Sequence, residues 1–215
     1  MPEPSSLRVA IVGGSGHLGH GLARRLHGAG VKVIVGSRDA ARAQTAAKSI
    51  GLPSDAGRLN VDAAHWAEVI VVTVPYDAHR QILGSISPVV SDKIVVDTTV
   101  RLVRSGERAI PAQGSAAEEA RDLLPTARVV AGFHTVSAAM LADPTQRLHG
   151  HVLLCGDDAS AKERVAEMVR LLGMRPVDTG KLAQAGILES LAGLLLAINR
   201  RYKRRDLGIE IAGLD

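Results

Sequence analysis

A glycine-rich turn between an apolar strand and a helix limits this chain to few folds; it spans residues 7–19, LRVAIVGGSGHLG. Val9, Ala10, Ile11 and Val12 form an apolar, mostly β-branched run of strand length, which reads as a buried strand. Gly14, Gly16 and Gly19 follow in the spacing G-x-G-x-x-G. Leu18, Leu22 and Leu26 then recur at helical intervals until Gly28 and Gly30. In this spacing Gly14 is expected to allow the tight turn, Gly16 to let the backbone approach a pyrophosphate, and Gly19 to let helix and strand pack closely. The free N–H groups of the helix start, aided by its dipole, favour a phosphate there. With a strand before it and a helix after it, the motif predicts a dinucleotide site rather than a turn without ligand.

Strand-like and helix-like runs alternate beyond it. Residues 31–36 read as a second strand, and a helix follows Ser37-Arg38-Asp39 to about Ile50. Residues 51–60 read as a polar loop with room for a short edge strand, and 61–67 as a brief helix. EVIVVTVP (68–75) is a central strand stopped by proline, with a helix from Tyr76 to Ile86 and a break at Ser87-Pro88. KIVVD (93–97) is the next strand and 98–113 reads as irregular. Ser115-x-x-Glu118 marks a capping box that opens a helix to Leu124. Residues 128–133, 151–155 and 175–177 read as strands, with a helix over 160–172. One apolar helix, about Leu182 to Tyr202, closes the chain. The alternation predicts an α/β, Rossmann-type doubly wound, mostly parallel sheet covered on both faces. Residues 1–180 would form the dinucleotide-binding domain and 181–215 a small C-terminal helical cap or dimerisation segment.

Composition removes several function classes. Of 215 residues 46% are hydrophobic, which is enough for a core and argues against disorder. A net charge of +4 suits an anionic ligand, but with 2% aromatics there is no stacking platform for nucleic acid. A single cysteine, Cys155, excludes an internal disulfide and any cysteine-based zinc site. MPEPSS lacks a basic n-region, and the apolar runs are strand-sized or broken by Glu189. A cytoplasmic chain with no membrane span is expected. The apolar stripe Leu188, Leu191, Leu194, Leu195 and Ile198 suggests core or a homodimer seam.

The choice of dinucleotide turns on the end of the second strand. NAD sites place an acidic residue there, whereas NADP sites place cationic and hydroxyl groups. Here Ser37 and Arg38 stand at that end, Arg42 follows one helical turn later, and Asp39 comes two residues late. Arg38 can lie along adenine and donate to a 2′-phosphate, with Ser37 and Arg42 completing the clamp. NADP(H) is the expected cofactor.

Among the histidines, His134 follows a strand at the carboxyl edge of the sheet, where open α/β folds bind ligands. It is the candidate catalytic residue, placed to hydrogen-bond a ring carbonyl or stabilise charge developing there; packing alone is the competing explanation. Tyr76 and His79 flank the proline of the central strand and either border the nicotinamide or simply start a helix. His149 and His151 lack acidic or cysteine neighbours, so no metal is expected. Asp157-Asp158 reads as a turn and helix start. The basic run Arg200, Arg201, Lys203, Arg204 and Arg205 reads as a solvated helix end, or as an attractor for an anionic coenzyme tail.

GGSGHLGHGLARRL, VGSRDAARA, VVTVPYDAH, AGFHTVSAA, LLCGDD and VDTGKLAQAGILESL together resemble the NADPH-dependent coenzyme F420 reductases, from Leu7 to about Ile211. The first three motifs are shared with other Rossmann proteins; His134-Thr135-Val136 and Ile187 to Leu191 are more particular to this family. The resemblance implies an oxidoreductase moving hydride between NADP(H) and the deazaflavin coenzyme F420, its small-molecule redox acceptor. By position, Ser15, His17 and Leu18 would line the pyrophosphate turn. Val74 and Pro75 would lie under the nicotinamide with Ala138 close by, and Thr99, Val100, His134, Val136 and Ser190 would face the acceptor. Two segments depart from the family pattern, Asp97-Thr98-Thr99-Val100-Arg101-Leu102 and Ala192, both on the acceptor side. They leave open a flavin, a metal chelate or a small carbonyl compound as acceptor, and an NADP(H)-sensing protein without turnover.

Overall fold

The computed structural model describes residues 7–105, 108–111 and 114–214, with the backbone alone considered over 102–113. Its strands are β1 (Arg8–Val12), β2 (Lys32–Ser37), β3 (Gly57–Leu59), β4 (Val69–Val72), β5 (Ile94–Asp97), β6 (Leu102–Ser105), β7 (Arg108–Pro111), β8 (Arg128–Gly132), β9 (His151–Gly156) and β10 (Arg175–Asp178). Eight of them form one sheet in the order β10-β9-β8-β5-β4-β1-β2-β3. Neighbours run parallel throughout except β8 and β9, where Ala131 faces Cys155 in an antiparallel pair. The order reverses at β1, which has β2 on one side and β4 on the other, so the crevice above its carboxyl end is the natural ligand position.

The helices are α1 (His17–Gly28), α2 (Ala40–Ser49), α3 (Asn60–Trp66), α4 (Tyr76–Ile86), α5 (Ala116–Leu123), α6 (Ala138–Ala142), α7 (Ala159–Leu171) and α8 (Ala185–Arg201). They explain why the central strands are apolar at every position rather than at alternate ones. Val9, Ile11, Val69, Val71 and Val96 point into one layer, with Leu22 and Leu26 of α1 and Val165 and Val169 of α7. Ala10, Val12, Ile70, Val72 and Val95 point into the other, with Ala63 of α3, Leu83 and Ile86 of α4 and Ala120 of α5. Each fully buried Val, Leu or Ile contributes about 1.5–3 kcal/mol, so the two layers hold the frame of the site rigid.

The last helix is part of this frame: Leu182, Ala185 and Leu188 enter the second layer. Residues 182–201 are long and apolar enough to cross a membrane by length and composition. The polar break expected at Glu189 is built into the fold, because the Glu189 carboxylate accepts from the Arg101 and Ala116 N–H groups at 2.9 and 2.7 Å.

Two segments differ from their sequence reading. Residues 98–113 are not irregular throughout, since β6 and β7 pair antiparallel with Leu102 opposite Pro111. Four-residue strands in a two-stranded ribbon show too few alternations to stand out. Helix α6 is also absent from that reading: at five residues it has little more than one turn, and it is fixed by Ser137, whose hydroxyl accepts from Ala139 and Met140 N–H. The capping box at Ser115 takes a variant form, in which Ser115 Oγ accepts from Glu118 N–H and donates to the Glu118 carboxylate.

Candidate functional site

The turn after β1 packs closely. Gly13, not Gly14, carries the left-handed backbone, with φ of +78°. A Cβ on Gly14 would stand 2.8 Å from the Ile11 carbonyl oxygen, so Gly14 is required by close approach. Gly19 is buried against Gly14 and the Thr73 side chain, as the packing role demands. Gly16 is the N-cap of α1 and supplies no side-chain hydrogen bond, and the first turn of α1 contains no acidic residue. Helices α2, α5, α6 and α7 are capped by Asp39, Ser115, Ser137 and Asp158, whereas α3, α4 and α8 share with α1 the lack of a side-chain cap. The N–H groups at the start of α1 thus remain open to an anion, which fits a pyrophosphate.

Two cavities flank this turn. The first, of about 160 Å³, is lined by Ser15, Gly16, Ser37, Arg38, Arg42, Asn60, Val74 and Pro75 among others. Arg38 and Arg42 are exposed there and Ser37 is buried. Asp39 cannot substitute for the missing strand-end acid, because its carboxylate is engaged at 2.8 Å by the Arg42 N–H as the cap of α2. The cationic rim fits a 2′-phosphate. Replacing Arg38 with Ala is expected to weaken NADPH about 10–100-fold through loss of a charge-assisted hydrogen bond, while leaving NADH nearly unchanged. Equal losses for both dinucleotides in a binding titration would remove Arg38 from the 2′-phosphate clamp.

The second cavity, of about 540 Å³, is mostly apolar and is lined by His17, Leu18, Val100, His134, Val136, Ala138, Ala192 and Leu195 among others. It lies between the exit of β8 and α8. Phe133, the last buried residue before it, adopts φ of +65°, a conformation costly for a bulky side chain. That turn directs His134 into the cavity wall. Both His134 ring nitrogens are buried with no hydrogen-bond partner. Burial pulls its pKa down to about 4, against the opposing influence of the Asp97 charge and the Thr99 backbone. His134 is therefore a neutral imidazole in the cavity wall with no hydrogen bond of good geometry, which fits a planar ring carrying polar edge atoms.

The remaining expected residues divide by location. His17, Leu18 and Ala138, assigned to the dinucleotide by position, line the larger cavity. Thr99 is buried and does not line it; its hydroxyl donates to the Val74 carbonyl at 3.4 Å, while Thr98 and Val100 line it instead. Alternation along an extended segment turns Thr99 away from its two neighbours. Ser190 does not line it either, since its hydroxyl donates back to the Gly186 carbonyl at 2.6 Å. The lining residues Ala192, Leu195, Leu196 and Asn199 mark one face of α8, and Ser190 is two residues, about 200°, away from Ala192. Tyr76 donates to Glu119 at 2.9 Å and His79 is wholly buried on Asp97 at 2.6 Å, so His79 presents no surface to a ligand. His149 is exposed, whereas His151 is buried and accepts from Ile211 N–H at 2.9 Å.

Asn60 and Thr73 carry no motif in the sequence, yet both reach the turn. Asn60 Oδ1 accepts from Gly13 N–H at 3.3 Å and Thr73 Oγ1 donates to the Val12 carbonyl at 3.0 Å, so both shape the turn. An asparagine starting a short helix carries no motif; Thr73, directly after the central strand, was the more legible of the two.

Comparison with known proteins shows the family. Residues 8–101 match the family model described as NADP oxidoreductase coenzyme F420-dependent. The F420-dependent NADP reductase of Methanothermobacter marburgensis is 36% identical over 97% of this chain and 99% of its own length. That of Methanocaldococcus jannaschii is 33% identical over 97% and 100%. A solved structure from Arthrobacter sp. FB24, provisionally described as an F420-dependent NADP reductase, superposes with a TM-score of 0.80 at 25% identity, covering 95% of this chain and 98% of that one. Over nearly its whole length, then, this chain belongs to the F420-dependent NADP reductase family of oxidoreductases.

Proposed function

We propose that this chain transfers hydride between NADP(H) and the deazaflavin coenzyme F420. The observation that carries the reading is that two unlike cavities flank the start of α1, one lined by Ser15 and Gly16 and the other by His17 and Leu18. One is an uncapped helix start with a cationic rim, and the other is an apolar chamber with an unpartnered imidazole. Bound together, the nicotinamide supplies a hydride from C4 and the deazaflavin accepts it at C5. The protein positions and shields. Ser15 and Gly16 hold the pyrophosphate, Ser37, Arg38 and Arg42 the 2′-phosphate, and Val74 and Pro75 form the wall toward the nicotinamide. Leu18, Val100, Val136, Ala138 and Ala192 exclude water from the chamber, and holding two rings at reacting distance can supply roughly 7–11 kcal/mol of the barrier. Neutral His134 donates its N–H to the polar edge of the acceptor, where charge gathers as hydride arrives.

The direct test is an absorbance assay with NADPH and F420, with NADH and a flavin as controls. Bleaching of the deazaflavin band with NADPH and F420 alone supports the reading; NADPH bound without bleaching overturns the acceptor. His134→Ala is expected to slow turnover about a hundredfold, the usual cost of one donor to a developing charge, with NADPH affinity intact. Lost NADPH binding in that variant would instead make the histidine structural. The enzyme is taken as cytoplasmic and homodimeric; the dimer is supported by Ile187 and Leu194 of α8, which are more than half exposed. A single-chain mass by light scattering would overturn the dimer.

A further inference from the structure

Resting on that reading, we infer that Arg205, carried on a C-terminal strap, recognises the anionic side chain of the acceptor through its phosphodiester. The larger cavity is closed on one side by the segment after α8, from which Arg205 and Leu207 line it. The strap is held at several points. Ser137 Oγ donates to the Arg205 carbonyl at 2.6 Å, and Asn199 Oδ1 accepts from Leu207 N–H at 3.5 Å. His151 N–H donates to the Ile209 carbonyl at 2.8 Å, and the His151 ring accepts from Ile211 N–H. The backbone of Arg205 is thereby fixed at the cavity mouth while its guanidinium is exposed.

Charge distinguishes this residue from its neighbours. Among the described residues lining the cavity, Arg205 is the only Lys, Arg, Asp or Glu; His134 is neutral and the rest, His17 aside, are apolar or uncharged polar groups. Arg204, next to it, is engaged by both Asp206 oxygens at 2.9 and 2.7 Å, which occupies the nearest carboxylate on the strap. Arg201 and Lys203, shortly before it in the chain, add positive charge to the segment. A planar ring filling the apolar chamber against His134 leaves its polar side chain at the mouth. F420 carries a phosphodiester on its ribityl chain, nearer the ring than its carboxylates. An arginine fork at the mouth matches that group in geometry and charge.

The test measures binding by deazaflavin fluorescence, alongside turnover, for three acceptors: the full coenzyme, a form ending at the ribityl group, and a form with the phosphate but no carboxylates. Arg205→Ala is expected to raise the Kd of both phosphate-bearing forms about tenfold and to flatten their salt dependence. It should leave the ribityl form and NADPH unchanged, and Arg205→Lys should recover part of the loss. A loss confined to the full coenzyme overturns the phosphodiester as the recognised group. An equal loss for all three forms, or none, overturns the recognition role itself. If the wild-type protein binds none of them, the acceptor reading fails and this inference with it.

Discussion

Gly16→Val is expected to abolish NADPH binding while leaving the fold in place. At Gly16 the backbone is extended, with φ of −82° and ψ of 166°, which any residue adopts. An added Cβ would meet no neighbour closer than the Gly13 carbonyl oxygen at 3.4 Å, an ordinary contact. Inside the protein there is room for it. Outside, the branched side chain would stand over the open N–H groups of α1, the place where a pyrophosphate must approach backbone. Several charge-assisted hydrogen bonds at about 1.5–3 kcal/mol each are lost together, so affinity should fall by about a hundredfold or more. Gly19→Val should behave in the opposite way. Its Cβ would meet the Thr73 side chain, Gly14 Cα at 2.8 Å and the Gly13 carbonyl at 3.1 Å, all inside the packed turn. Overpacking of this kind costs about 1–3 kcal/mol or more, so that variant should melt lower first and lose ligand second. Thermal melts and NADPH titrations on the two variants separate the roles. NADPH binding unchanged in Gly16→Val would sink the dinucleotide assignment.

These two glycines also show how far the sequence could be read. Local patterns were legible: the strand, turn and helix of residues 7–28, the proline stop before α4, and the basic strand end at Ser37 and Arg38 all act over a few residues. What was not legible depends on facing surfaces. The left-handed position fell on Gly13 because the turn is shaped by Val74 and the Thr73 backbone, more than fifty residues away. Ser190 looked suited to the acceptor by position, yet the phase of α8 is set by Leu188 entering the core, and this brings Glu189 and Ala192 inward and turns Ser190 aside. Arg205 was visible only as one member of a basic run until the strap anchored by Ser137 and His151 set it apart. The Asp97 cluster was the least legible, since its side-chain partner His79 lies on α4, eighteen residues earlier.

Asp97→Asn should be among the most destabilising conservative substitutions in this protein, and its cost should depend on pH. Asp97 is fully buried at the end of β5; one carboxylate oxygen is 2.6 Å from His79 Nε2 and the other accepts Thr99 N–H at 2.8 Å. The carboxylate therefore ties α4, which begins beside Val74 and Pro75, to the loop that brings Thr98 and Val100 to the larger cavity. Burial pulls His79 down, but the Asp97 hydrogen bond and charge, with Glu119 and Glu189 adding, leave its pKa raised above the usual 6.5. The stability gained from charging His79 is thus complete below about pH 6.5 and is lost as pH rises through the higher folded value. Glu189 works in the same sense. Burial, with the Asp97 charge, pushes it up to about 7 against the hydrogen bonds it accepts, so stability is lost as pH rises from the ordinary carboxylate range to about 7, a loss that Asp97→Asn partly relieves. His134, held down to about 4, acts with opposite sign, costing stability as pH falls from about 6.5 toward 4. Removing one partner of a buried pair costs about 3–5 kcal/mol, or roughly 6–20 °C in melting temperature for a domain of this size. Melting wild type and Asp97→Asn in parallel should give that full gap at pH 6 and a smaller one at pH 9. A gap of equal size at both would mean that His79 stays uncharged, and that Asp97 holds α4 to the site by hydrogen bonding alone.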